Sequence, residues 1–331
     1  MPSTSFTPQL RPLSIGEVLD AGFRLLRHRF GALMLCVLAA GLPLSILRTI
    51  IIASTDPDYY DVNAVRFGDP PAEVIVGQIV AALVIFLGAL IAIAACFRVI
   101  SAAYLGEPGQ AGQSLRFGAR RVPAMVGASI VLGILGFVVL FLFAMLAAAA
   151  QPLILLAIPV FAFLFVKWAL VWPAIVAEKA GPLQSINRSW KLTDNNWWRS
   201  FAILLVLTLI TAVLYFALSF ALFAAFSGVD SISAIALALI DTLFNVIVLA
   251  VVYPLSAAII TVLYYDTRVR NEGFDLQLLA ESIGSDSSRL ASSPERPESI
   301  GGLSAPTPTP LPASSNPGGG FAPPEGPASA P

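Results

Sequence analysis

Few side chains in this sequence could do chemistry, and Lys167 is the most conspicuous of them. It stands inside an apolar stretch, about ten residues before Glu178. At about 1.5 Å per helical residue this puts it about 15 Å below a membrane boundary at Glu178, near mid-bilayer. A lysine at that depth costs about 2.5–3.5 kcal/mol on insertion scales. Three readings stay open. Its stem could snorkel to the surface, although Cα–Cβ bonds lean toward a helix N-terminus, here the far side. It could face the bundle interior and meet an anionic or polar ligand group. It could be a structural pair. Tyr253 lies at similar depth, and Pro254 beside it frees the carbonyl of Ala250 to accept a hydrogen bond. No partner carboxylate is expected at that depth. Asp241 lies about 35 Å from Tyr264 along its helix, so it reads as a wet helix-start residue. Asn245, one turn further in, reads as an interhelical donor.

The remaining inventory excludes most catalysis. The single histidine, His28, sits between Arg27 and Arg29 and reads as a solvated interfacial residue. The sequence has no HExxH, no GxSxG and no paired acids within its apolar runs. The loop at 54–72 carries four aspartates but lacks EF-hand spacing. Cys36 and Cys96 both fall in apolar runs and read as small core residues. No metal or other cofactor is expected.

The elements that must position these residues follow from composition. The chain has 331 residues, 57% hydrophobic and only 12% charged. Its mean hydropathy is +0.83. Soluble domains carry roughly 25% charged residues, so an ordinary soluble enzyme is excluded. A net charge of −1 offers nothing to nucleic acid. Charge-free runs at 30–47, 74–97, 122–166, 168–177, 200–229 and 242–265 are to be compared with the roughly 20 residues a spanning helix needs. Gln151-Pro152 divides the longest run. The prediction is an all-α polytopic membrane bundle of six spans, at about 30–53, 73–97, 124–149, 152–176, 198–226 and 240–265.

Local signals place the rest. Residues 1–13 read as an irregular arm. Ser14 and Glu17 form a capping box, with Leu13 and Val18 as its hydrophobic staple. The helix behind it has Ile15, Val18, Leu19, Gly22, Phe23 and Leu26 on one face. It is predicted to lie in the membrane interface, with an Asp20–Arg24 pair on its wet side. Pro173 is predicted to kink span four. A short helix is expected over 231–239. Past Tyr265 the last helix continues through the i,i+4 pairs Asp266–Arg270 and Arg268–Glu272, and Gly273 stops it. A short helix over 276–281 is expected next. From 283 the chain is rich in Ser, Pro, Gly and Ala and is predicted to be disordered. The membrane domain is therefore read as 14–282.

Fourteen arginines and lysines flank one set of span ends, and Arg66, with Arg48 at its edge, the other. The positive-inside rule puts both termini in the cytoplasm, in a cell (plasma) membrane. All five tryptophans fall near that boundary, as an interfacial belt does. Arg24, Arg27, Arg120, Arg121, Arg188 and Lys191 are the candidate contacts to anionic lipid headgroups, each worth about 1 kcal/mol near the surface. Three short segments, at 19–24, 114–120 and 183–188, each lead into a two-span hairpin. This is a weak parallel repeat.

Three stretches carry a resemblance. Arg11-Pro12-Leu13-Ser14-Ile15-Gly16-Glu17-Val18-Leu19-Asp20 opens the first. Pro173-Ala174-Ile175-Val176-Ala177-Glu178, with Ser185 and Arg188-Ser189-Trp190-Lys191-Leu192-Thr193, forms the second. Tyr264-Tyr265-Asp266-Thr267-Arg268-Val269-Arg270-Asn271-Glu272-Gly273-Phe274-Asp275 is the third. Together they resemble bacterial proteins, of actinobacterial look, grouped with the membrane domain of glycerophosphoryl diester phosphodiesterases. The resemblance implies a membrane module that some relatives join to a soluble catalytic domain. That catalytic domain uses histidines and acidic metal ligands. Here the residues after span six contain no histidine.

The leading expectation is thus a non-catalytic membrane module, an anchor, scaffold or lipid-associated partner of envelope proteins. The alternative is a transporter or flippase-like protein for an amphiphilic anion that uses Lys167. The sequence fixes neither a protein partner nor an oligomeric state.

Overall fold

The computed structural model describes residues 11–60, 69–106, 110–149, 155–226 and 233–274, with residue 276. Among them all regular structure is helical. The order is α1 (Ile15–His28), α2 (Phe30–Thr55), a 3-10 turn (Pro57–Tyr60), α3 (Ala72–Tyr104), α4 (Ala111–Ala149), α5 (Ala157–Trp168), α6 (Val171–Ala177), α7 (Pro182–Thr193), α8 (Trp197–Phe226) and α9 (Ala234–Glu272). Six stretches are long and apolar enough to cross a membrane: α2, α3, α4 as far as Leu146, α5 with α6, α8 and α9. This is the predicted six-span all-α bundle. The chain divides at Ser282/Ile283. The tail, all but the first residue of the helix expected over 276–281, and loop residues 61–68 lie outside the described residues.

Helix α1 starts where its cap demands. The Ser14 hydroxyl accepts from the Glu17 N–H, and the Glu17 carboxylate accepts from the Ser14 N–H at 2.7 Å. Those two bonds, with Arg11 at 2.5 Å from the carboxylate, draw the Glu17 carboxyl down to about 2. The staple residues Leu13 and Val18 are both buried. The buried stripe of α1 is Val18, Ala21, Gly22 and Leu25, whereas Ile15 and Phe23 stay exposed. The predicted apolar face is therefore rotated, and the stripe that is buried meets protein. A Cβ on Gly22 would fall 2.8 Å from Ile259 Cγ1 and 3.2 Å from its Cα, so only glycine allows α1 this close to α9. Burying Val18 and Leu25 contributes about 1.5–3 kcal/mol each. The Asp20–Arg24 pair does not form among the described residues.

Several boundaries shift from those predicted. The basic segment before span three is one helix with it, since α4 runs unbroken through Pro123. The helix expected over 231–239 and span six are likewise one helix from Ala234, capped by Ser233. Span four is two pieces. It breaks at Ala169–Leu170, and Pro173 falls in the first turn of α6, where its missing N–H costs little. Pro173 has no N–H for the Ala169 carbonyl four residues back and its ring crowds that carbonyl, so the break lies where a proline kink is expected.

The main buried cluster runs through α1, α3 and α9, with α6 and α7 against them. Phe97, Ile100, Tyr104, Ile259, Val262 and Tyr264 are nearly inaccessible. The far halves of α4 and α8 present Phe137, Leu140, Phe141, Phe216 and Phe220 outward. Such surface is stable against hydrocarbon and costly against water, which fits a bundle whose solvent is lipid.

Candidate functional site

Most polar side chains that the sequence brings to attention gather where α9 ends. Two knots form there, the first half-buried and the second buried, each joining segments far apart in the chain.

The first is built on Arg188. Helix α7 begins at Pro182 and carries Arg188 toward the end of α6 and the last turn of α9. Its Nε donates to both carboxylate oxygens of Glu178, at 2.8 and 2.9 Å. Its Nη1 and Nη2 donate to the two oxygens of Glu272, the second at 2.7 Å. The Tyr264 hydroxyl donates to Glu178 at 2.6 Å. Arg268 adds a bond to Glu272 at 3.3 Å, and its guanidinium lies 4.0 Å from the Phe274 ring centroid. Hydrogen bonding to Glu272, then to Glu178, holds the Arg188 guanidinium charged well above its ordinary value. Charge-assisted bidentate pairs of this kind are strong and geometrically strict.

The second knot is built on Asp266, whose carboxylate is inaccessible. It accepts from the Leu13 N–H at 2.8 Å, from Arg199 at 2.5 Å and from Arg270 at 3.1 Å. Arg199 and Arg270 also donate to the Leu13 carbonyl, at 2.5 and 2.6 Å. The arm before α1, the start of α8 and the end of α9 are thereby tied together. One carboxylate against two guanidiniums and a backbone N–H is a fully partnered buried charge. The predicted Asp266–Arg270 and Arg268–Glu272 pairs are both present. Gly273 takes the left-handed conformation, φ 60°, and ends the helix.

Lys167 is not isolated. Its ammonium pairs with Asp194, in the turn between α7 and α8, and reaches the Trp190 carbonyl at 3.4 Å. It also lies 5.2 Å from the Trp190 ring centroid and 5.6 Å from that of Phe163. This corrects the expectation that no carboxylate comes within reach. The reason is tertiary: α7 folds back beside α5, and its end supplies the acid. Lys167 itself is buried while Asp194 is 61% exposed, so the pair leads to the surface. The helix break leaves the Lys167 carbonyl without a helical donor, and the Ser189 hydroxyl donates to it at 2.6 Å. Tyr253, the other intramembrane candidate, is half-buried against the core, and no hydrogen bond joins it to Lys167.

The headgroup candidates divide. Arg24, Arg27, Arg120 and Lys191 are exposed and pair with no described carboxylate. Arg121 is half-buried, donates to the Lys179 carbonyl at 3.2 Å and stands 5.5 Å from the Phe117 ring centroid. Arg188 is fully engaged by Glu178 and Glu272. It is removed from the headgroup set, because α7 turns it inward.

A third polar group lies about 37 Å away along α9, at the opposite end. Asp241 accepts from Arg48 at 2.5 Å and from the Tyr60 hydroxyl at 3.2 Å. Asn245 donates to Asp241 of its own helix at 3.0 Å, not across helices. Thr49 and Thr242 share a bond at 2.7 Å. Asp241 is thus a tether for α2, a role that its position as a helix-start residue did not convey. Among the described residues no three His, Cys, Asp or Glu side chains converge as metal ligands would.

These contacts account for the two later resembling stretches almost residue by residue. In the middle stretch, Glu178, Arg188, Ser189 and Trp190 have the partners given above, and the Leu192 carbonyl accepts from Asn271 at 2.8 Å. In the last stretch, Tyr265 stacks on Tyr104 with centroids 5.0 Å apart. Thr267 donates to the Tyr264 carbonyl at 2.8 Å. Neither a curated protein nor a solved structure matches the chain. The family model for the membrane domain of glycerophosphoryl diester phosphodiesterase matches residues 141–295, a stretch that holds Lys167 and the later two resembling segments. The resemblance is therefore shown, over residues 141–295, to the membrane domain of glycerophosphoryl diester phosphodiesterase and not to its catalytic domain.

Proposed function

We propose that this protein is a non-catalytic, multi-pass membrane module, an anchor or scaffold for envelope proteins that contacts anionic lipid headgroups. The observation that carries this reading is the saturation of its polar residues. Lys167, Glu178, Arg188, Asp266 and Glu272 are each held by an internal ion pair, leaving none of them free to meet a substrate. Catalytic sites need titratable groups aimed at open space; here they are aimed at each other. The matched family model, a membrane domain, supports the same reading. Basic residues at one set of span ends favour a plasma membrane location with both termini cytoplasmic. Arg24, Arg27, Arg120 and Lys191 would then lie at headgroup level.

The alternative, a transporter for an amphiphilic anion, would need Lys167 in the pathway. Its pairing with Asp194 under Trp190 counts against that. The discriminating test is uptake and hydrolysis of glycerophosphodiesters by the purified full chain in sealed proteoliposomes. Neither activity above protein-free vesicles is expected. Uptake abolished by Lys167→Met, or hydrolysis without a partner, would overturn the reading.

A further inference from the structure

The cationic side chains of this chain are not all spent on internal pairs. Arg116 and Arg120 lie one helical turn apart on α4 and pair with no described residue. Two like charges at this spacing disfavour the helix that carries them. They line a cleft of about 320 Å³ between the end of α3 and the start of α4, with Arg98, Gln110, Gln113 and Phe117. No carboxylate is among its described lining residues. At Arg48, Arg188 and Arg199 the fold answers a half-buried guanidinium with an acid. Around Arg116 and Arg120 the described lining residues offer amides, a ring, a hydroxyl and a further guanidinium.

The cleft is built, not incidental. A Cβ on Gly118 would fall 2.9 Å from the Ile91 carbonyl oxygen and 3.2 Å from the Ala95 nitrogen, so glycine sets how closely α3 and α4 approach. That approach brings Arg98 across from the α4 arginines. The Arg98 guanidinium stands 5.6 Å from the Phe117 ring centroid, an aromatic support that orients it. Arg98 has contacts of its own, so the case rests on Arg116 and Arg120. Both precede the apolar run that starts at Val122, the level at which a bilayer carries its phosphates.

We infer that this cleft binds a phosphate group, held by Arg116 and Arg120 with Arg98 behind and the Gln110 and Gln113 amides at its rim. Guanidinium pairs match phosphate oxygens in geometry and charge, and the cleft has room for a headgroup. The same chemistry fits the phosphate of an anionic lipid and a free phosphate. The inference deepens the headgroup reading above and rests on it.

The test is native mass spectrometry of the purified full chain in detergent, titrated with phosphatidylglycerol or phosphatidylcholine. One phosphatidylglycerol per chain should be retained where phosphatidylcholine is not. Arg116→Gln/Arg120→Gln should weaken that retention at least tenfold, and the Lys pair should restore part of it. Displacement by millimolar inorganic phosphate would identify a site for the phosphate alone, and no displacement a site for the lipid headgroup. Equal retention by the wild type and the Arg116→Gln/Arg120→Gln variant would overturn the cleft while sparing a diffuse headgroup contact. No preference for phosphatidylglycerol in the wild type would overturn both.

Discussion

Arg188 and Glu272, 84 positions apart, meet fork to fork, with Nη2 2.7 Å from Oε2. The same guanidinium holds Glu178 through Nε. One side chain thereby fixes the short helix α7 against both α6 and the end of α9. The two later resembling stretches of the chain are the two sides of this joint.

Replacing Arg188 should loosen the joint. Arg188→Gln leaves two carboxylates facing each other with only Arg268 near. The pairs are about a quarter exposed, so the cost falls between surface and buried values, about 2 kcal/mol. Arg188→Lys should recover little of it, because an ammonium cannot serve both carboxylates in two directions. Thermal unfolding in detergent measures both.

Asp266 should be more costly. Asp266→Asn leaves Arg199 and Arg270 facing each other around the Leu13 carbonyl. Breaking one partner of a buried pair costs about 3–5 kcal/mol. The arm before α1 should detach first. Hydrogen exchange at the Leu13 amide, which donates to Asp266, should therefore speed up before global unfolding changes.

Lys167 and Asp194 should behave asymmetrically. Lys167→Met removes a buried charge and should be neutral or stabilising, whereas Asp194→Asn strands the lysine and should destabilise. A pathway lysine would show the reverse importance, with Lys167→Met losing function and Asp194→Asn sparing it. Unfolding midpoints of the two variants, compared side by side, decide this.

The start of α1 should be pH-sensitive. The Glu17 carboxyl is lowered from 4.5 to about 2 by Ser14 and Arg11. A depressed carboxyl contributes stability that is complete above pH 4.5 and lost as pH falls toward 2. Hydrogen exchange at the first amides of α1, corrected for intrinsic rate, should accelerate over that window. Glu17→Gln should flatten the dependence, and Ser14→Ala should cost the helix start about 1 kcal/mol at pH 7.

Much of this fold was legible because hydrocarbon imposes few options. A charge-free run of span length has to be helix, so the six spans followed from where charges are absent. The Ser14 cap, the Gly273 stop and the i,i+4 pairs of α9 were legible because they are local. Pro173 marked span four as kinked, because its ring and missing N–H act on the Ala169 carbonyl four residues back, but it did not mark that the helix splits in two there. The partner of Lys167 was hidden for a related reason. Depth counted along one straight helix cannot foresee that α7 folds back and brings Asp194 alongside. Arg188 read as a headgroup contact because its acids lie in other segments. The Arg116–Arg120 face was legible as basic, but the cleft depends on the start of α4 packing against the end of α3, which sequence spacing does not convey.

The most direct test of the central claim is mass spectrometry of the chain purified in native-lipid particles. A module of this kind should bring down a stoichiometric envelope protein, with lipids but no enriched soluble metabolite. Lys167→Met should leave that profile unchanged. A single enriched small anion that disappears in Lys167→Met would contradict the account and establish Lys167 as part of a pathway.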